Sequence, residues 1–106
     1  MDATLSTEHQ GDICRLRIGG ELSIFGAAEL KPRLLSLLAE SRELEINLSD
    51  VSELDSAGFQ LLYLLKREAR AAGKELRLVA HSHATLEVLE LLKMEAYFGD
   101  PVVLAS

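Results

Sequence analysis

From Ile13 to Ile18 the chain alternates without a break, with Cys14, Leu16 and Ile18 on one side and Arg15 and Arg17 on the other. Alternation of that length predicts a half-buried strand. Thr4 to Glu8 alternates more weakly. Gln10-Gly11-Asp12 lies between the two segments as a turn signal, so they predict a hairpin, ended by Gly19-Gly20. From Ala27 to Glu40 the period changes: Leu30, Leu34, Leu37 and Leu38 recur at three- and four-residue spacings, which predicts a helix. Pro32 is compatible with a helix only in its first turn, where the amide has no helical partner anyway. The helix is therefore expected to start near Ala28 or Glu29, or else to kink at Pro32.

A second alternation runs from Glu43 to Leu48 and stops at Ser49-Asp50. Ala57 to Ala72 is the strongest helical pattern, closed by Gly73, a favourable residue just past a helix end. Glu75 to Ala80 predicts a third clear strand. Ser82 can cap a last helix from His83 to about Lys93. Asp100-Pro101 breaks the chain, and Val102-Val103-Leu104 leaves room for a short trailing strand. The predicted order is β-β-α-β-α-β-α. It describes an α/β fold with a mixed, mainly parallel sheet of four to five strands. The half-polar strands put the helices mainly on one face.

Composition narrows the function. One domain spanning 1–106 is the expectation for 106 residues with 48% hydrophobic and 26% charged positions. A single cysteine rules out an internal disulfide framework. A formal net charge of -6 and 5% aromatic residues argue against nucleic acid, which needs a basic surface or stacking platforms. Apolar runs are broken well before the ~20 residues of a membrane span, and no secretory signal opens the chain. A cytoplasmic protein without direct membrane insertion is expected.

The most informative stretch is Asn47 to Leu65. A strand ends, an acidic loop follows, and a helix begins at or near Ser56. Asp55 or Ser56 is a natural N-cap, since either side chain can accept from the orphan amides of the first turn. The plain reading is a cap, with Gly58 serving close packing. At 100° steps Gly58, Leu61, Leu62, Leu65, Ala69 and Ala72 form one apolar face. Phe59, Tyr63, Lys66 and Arg70 form a second stripe about 120° away. Its aromatics either pack against a neighbouring element or present a contact patch to a partner.

Asp50-Val51-Ser52-Glu53-Leu54-Asp55-Ser56-Ala57-Gly58, between a strand and a helix, resembles the signature of STAS domains, the anti-sigma-factor antagonists and their relatives. The likeness extends from the Gly20-Glu21-Leu22 turn to the last helix. It is strengthened by the preceding Ile-Asn-Leu strand and the following Gly-Lys-Glu-Leu-Arg-Leu-Val strand. The resemblance implies a phospho-acceptor at Ser56, with acidic neighbours at Asp50 and Asp55. It also implies an anti-sigma factor that doubles as an ATP-dependent serine kinase, and a phosphatase that restores the serine. Three departures stand out. Ala57 replaces the second hydroxyl of some members, Phe59 replaces a smaller aliphatic residue, and the first helix lacks the usual early placement of its proline.

A phosphate on Ser56 would add about −1.5 to −2 charge. The helix N-terminus favours that anion, whereas Asp50, Glu53 and Asp55 repel it. A partner seated on the neutral hydroxyl would meet an unpaired charge, costing several kcal/mol to desolvate. About 2.8 kcal/mol already shifts affinity a hundredfold. The expected partner surface is Asp50, Glu53, Asp55, Ser56, Phe59 and Tyr63, and the expected function is a phosphorylation-controlled protein-binding switch. Two alternatives share the fold: a STAS subunit of a membrane transporter assembly, including lipid-transport complexes, and an accessory regulator in a chemotaxis-like or second-messenger pathway.

Other chemistry is weaker. No G-x-x-x-x-G-K-[ST] loop, protein-kinase signature or G-x-S-x-G elbow occurs, so the chain is expected to be a substrate and ligand, without a cofactor, rather than an enzyme. His81-Ser82-His83 makes a poor metal site and is explained by Ser82 as a cap. Cys14 falls on the core face of a strand, as a small hydrophobe. Lys66, Arg67, Arg70, Lys74 and Arg77 read as a solvated helix end, with guidance of an acidic partner as the alternative.

Overall fold

The structure, a computed structural model, describes residues 2–91. The trailing strand expected at 102–104 and the end of the last helix lie outside the described residues. The elements are β1 (Thr4–Gln10), β2 (Ile13–Leu22), α1 (Ile24–Glu40), β3 (Glu43–Leu54), α2 (Ser56–Ala71), β4 (Glu75–Val79) and α3 (His83–Leu91). They follow the predicted order. The four strands form one sheet in the order β1-β2-β3-β4. β1 runs antiparallel to β2 across the Gly11 turn, and β2, β3 and β4 are mutually parallel.

Strand periodicity sets the two faces of the sheet. Cys14, Leu16 and Ile18 of β2, Leu44, Ile46 and Leu48 of β3, and Leu76 and Leu78 of β4 are all buried in one cluster. Leu30, Leu34 and Leu38 of α1, and Leu61, Leu62 and Leu65 of α2, complete it from the helices. The opposite face is polar. The register aligns Glu8, Arg15, Glu45 and Arg77 in a row across all four strands, with charge alternating at each step. Arg77 pairs with Glu43 at 2.6 Å and Glu45 at 3.2 Å.

Three predicted boundaries are corrected. Gly19-Gly20 does not end β2, and Ser49-Asp50 does not end β3. Between Arg17 and Gly19, and again between Gly20 and Glu21, β3 takes one more residue than β2 to advance. Each extra residue is a bulge, which lets a strand continue through a break in alternation. Asn47 Oδ1 secures the first bulge by accepting from the Ser49 amide at 2.9 Å and the Ser49 hydroxyl at 2.6 Å. Gly20, at φ 80°, takes the left-handed conformation open to glycine. The third correction is α1. It begins at Ile24, so Pro32 lies in the helix interior, on its exposed side. An interior proline costs about 3 kcal/mol, and burial of Leu30, Leu34 and Leu38 on the same helix outweighs it.

The helix ends are held by specific partners. Gly73, at φ 70°, follows α2 as predicted, while Ala72 of the predicted apolar face is exposed in the cap itself. Ser82 caps α3, its Oγ accepting from the Thr85 amide at 3.2 Å. The basic cluster after α2 is only partly a solvated end. Lys74 Nζ donates to the Leu38 and Ala39 carbonyls at 2.6 and 2.9 Å, closing the last turn of α1. Lys66 Nζ donates to the Leu76 carbonyl at 2.6 Å. Cys14 is fully buried, and burial pushes its thiol pKa up.

Candidate functional site

β2 and β3 are parallel neighbours, so their C-terminal ends lie side by side, with Leu22 paired to Leu54. Each strand passes into a helix within two residues. The N-termini of α1 and α2 therefore open at the same edge of the sheet, the usual place for a site in a parallel sheet.

Asp55 joins these two starts. Its Oδ1 accepts from the Gly58 amide at 3.0 Å, capping α2. Its Oδ2 accepts from the Ile24 amide at 3.2 Å, in the first turn of α1. Ser23, at the cap position of α1, makes no side-chain cap bond, so the cap arrives from a residue 31 positions away. Gly58 sets how closely α2 approaches. A Cβ there would collide with the Leu22 carbonyl oxygen and come within 2.8 Å of Leu54 Cδ1.

Ser56 is the first residue of α2 and is exposed. Asp55, not Ser56, is the cap, which leaves the hydroxyl uncommitted: among the described residues Ser56 Oγ makes no hydrogen bond. It stands where the positive end of the helix dipole and the first-turn amides meet solvent.

The other predicted residues divide. Glu53 is exposed three positions before Ser56, paired across the sheet with Glu21. Asp50 sits in the first bulge beside Gly19, in an ion pair with Arg17 at 3.1 Å. Four strand residues lie between Asp50 and Asp55, and the five steps, one taken up by the second bulge, span roughly 15 Å at about 3.3 Å per residue. Phe59 and Tyr63 are half-buried, with ring centroids 6.2 Å apart and tilted by 45°. Phe59 packs against the core cluster.

The sequence reading missed the apolar residues nearest this edge. Ile24 and Phe25 open α1 and are 61% and 84% exposed. Their signal was an apolar pair placed between Gly20 and Gly26 with no strand or helix period to bury it. Ile24 also borders a groove of 390 Å³ between α1 and α2, which Ala57, Leu61 and Leu64 line from the other side. Among the described residues no cluster of three metal-ligating side chains occurs, and no helix is long and apolar enough to cross a membrane.

The family model described as "Mlab, STAS domain" matches residues 5–104. The chain belongs to the STAS domain family. Its fold is shared with an anti-sigma factor antagonist from Mycobacterium paratuberculosis, at TM-score 0.82 and 23% identity over 93% of this chain and 85% of that one. The anti-sigma factor antagonist SpoIIAA in its unphosphorylated form aligns at TM-score 0.77 and 18% identity, over 92% of this STAS domain and 88% of that chain. The phosphorylated form of SpoIIAA from Bacillus aligns at TM-score 0.73 and 18% identity, over 92% and 91% of the two chains.

Proposed function

We propose that this STAS domain is a phosphorylation-controlled protein-binding switch, acting in the cytoplasm as an anti-sigma factor antagonist. Its unphosphorylated form binds an anti-sigma factor of the serine-kinase type. That kinase transfers the γ-phosphoryl group of ATP to the Ser56 hydroxyl, releasing ADP and a proton, and a phosphatase hydrolyses the ester with water, restoring the serine and releasing inorganic phosphate. The chain is substrate and ligand, and its partner performs the chemistry.

The observation that carries this reading is the uncommitted, exposed hydroxyl of Ser56 at the edge where two helices start. An acceptor must be reachable and must not be needed by the fold. Asp55 meets the second condition by doing the capping. The Asp55 carboxylate takes up one anion-binding position at this edge, and a phosphate on Ser56 would lie beside it as a second anion. The free first-turn amides stabilise that charge within the folded domain. A partner covering Ser56, Glu53, Asp55 and the flanking Phe59 and Tyr63 would have to bury it unpaired. Asp50 contributes less, since Arg17 offsets its charge and roughly 15 Å of strand exceeds the ~8–10 Å screening length. The exposed Ile24 and Phe25 supply apolar area next to the switch.

The test is binding to the cognate kinase-type partner, with the intact mass of the same sample. Ser56→Ala binds like the unmodified chain and gains no phosphate. Ser56→Asp binds about a hundredfold more weakly or worse. Equal affinity of wild type and Ser56→Asp overturns the switch. A second reading, constitutive docking as a STAS subunit of a membrane transporter assembly, is favoured by the exposed Phe25 ring, an apolar contact that needs no modification to act. Co-purification with transport components, unchanged by Ser56→Asp, would select it.

A further inference from the structure

The groove between α1 and α2 begins beside Ser56 at Ile24 and Ala57 and runs along both helices past Leu61 and Leu64 to Lys31 and Arg67. Its lining contains no acidic residue, in a chain of net charge -6. Among the described residues the Lys31 and Arg67 side chains make no ion pair or hydrogen bond, and both residues are exposed. Arg17 is engaged with Asp50, Lys66 and Lys74 with backbone carbonyls, and Arg77 with Glu43 and Glu45, while Arg33 and Arg42, whose side chains are also unpaired among the described residues, lie outside this groove. The acidic majority of the surface thus leaves one apolar trough with two unspent positive charges at its far end.

We propose that this groove receives an amphipathic helix of a partner protein, its apolar stripe laid between α1 and α2 and its carboxylates paired with Lys31 and Arg67. A helix in a groove buries anchors at i, i+3, i+4 and i+7, which suits a trough flanked by two helices. The positive rim selects an acidic helix over a basic one, because like charges brought together across an interface are penalised. An anionic membrane surface would meet the same two cations but also the net negative charge of the whole chain. This inference rests on the reading of the Ser56 edge as a protein-binding surface. It adds the chemistry of the segment that continues from that edge.

Two 16-residue helical peptides test it, sharing one leucine stripe at helical spacing and flanked by glutamates in one and lysines in the other. Affinity for the full chain is read by fluorescence anisotropy, and the site by amide chemical shifts. The glutamate peptide should bind at least about fivefold more tightly, with shifts centred on Leu61, Leu64 and Lys31. The double variant Lys31→Glu/Arg67→Glu should reverse the preference without changing the thermal melt, since both positions are exposed. Equal binding of the two peptides, binding of neither, an unreversed preference, shifts on the polar face of the sheet around Arg15 and Glu45, or tighter binding to anionic phosphatidylserine vesicles than to the peptide would each overturn it. Ser56→Ala should leave the peptide preference intact. Failure of the groove is therefore read from the peptides, and failure of the switch from the Ser56→Asp affinity.

Discussion

Asp55 and Ile24 are 31 residues apart and joined by a hydrogen bond of 3.2 Å from the Ile24 amide to the Asp55 carboxylate. The other oxygen of that carboxylate caps α2 at the Gly58 amide. One side chain therefore fixes two helix starts against each other and frees the neighbouring serine. Asp55→Ala removes both bonds. A lost cap costs typically ~1 kcal/mol, so the expected loss is about 2 kcal/mol in urea unfolding. Asp55→Asn keeps an acceptor for one amide and should lose about half as much. A loss confined to a few tenths of a kcal/mol would show that Asp55 does not hold both starts.

Gly58 and the Leu22 carbonyl determine the depth at which α2 seats. The Cβ of Gly58→Ala would run into that oxygen, which is backbone and cannot swing aside. Overpacking of this kind costs about 1–3 kcal/mol, although alanine is the better helix former by up to ~1 kcal/mol. Steric conflict wins, so the melting temperature falls. Faster amide exchange at Ser56, Ala57 and Phe59 than at Leu65 should accompany it. A melt at or above wild type would show that the first turn can move outward freely.

Lys74 reaches from the α2–β4 turn to the last turn of α1. Lys74→Met keeps the aliphatic stem and removes the donor from two carbonyls. Hydrogen bonds to a charged group contribute about 1.5–3 kcal/mol, discounted toward ~1 kcal/mol because one carbonyl is exposed and regains water. Arg33→Met is the control on the same helix, with a change within about 0.5 kcal/mol. Equal melts for the two variants would remove Lys74 from the structural ledger and return it to the solvated surface.

Cys14 makes a pH-dependent contribution with a definite sign. Burial raises its thiol pKa; the Ser41 hydrogen bond opposes this and the Glu40 charge adds to it. The folded state therefore holds the thiol proton more tightly than the unfolded chain does. This contribution is fully present below the unfolded thiol's pKa of ~8.5 and is lost as pH rises through the folded value. Wild type should lose stability above pH ~8.5 more steeply than Cys14→Ala, whose own stability is lower at neutral pH. Parallel stability curves would contradict the assignment. Iodoacetamide should modify Cys14 only at the rate of global unfolding.

Element order and the core face were legible because burial imposes a period. Cys14-Leu16-Ile18, Leu44-Ile46-Leu48 and the leucines of α2 can satisfy the hydrophobic effect in one geometry each, and local pattern states it. The motif from Asp50 to Gly58 likewise placed a serine at a helix start through local cap chemistry. Boundaries failed where the deciding partner lies far along the chain. β3 passes Ser49-Asp50 because β2 offers Gly19 and Gly20 to a bulge, and α1 begins at Ile24 because Asp55 caps it. Lys66 and Lys74 turned from an apparent solvated run into bonds to Leu76, Leu38 and Ala39. Periodicity is a property of the chain, readable in one dimension; which carboxylate meets which amide, which serine is left over, and which cations remain unpaired in a groove follow from contacts between remote segments, and only folding brings those together.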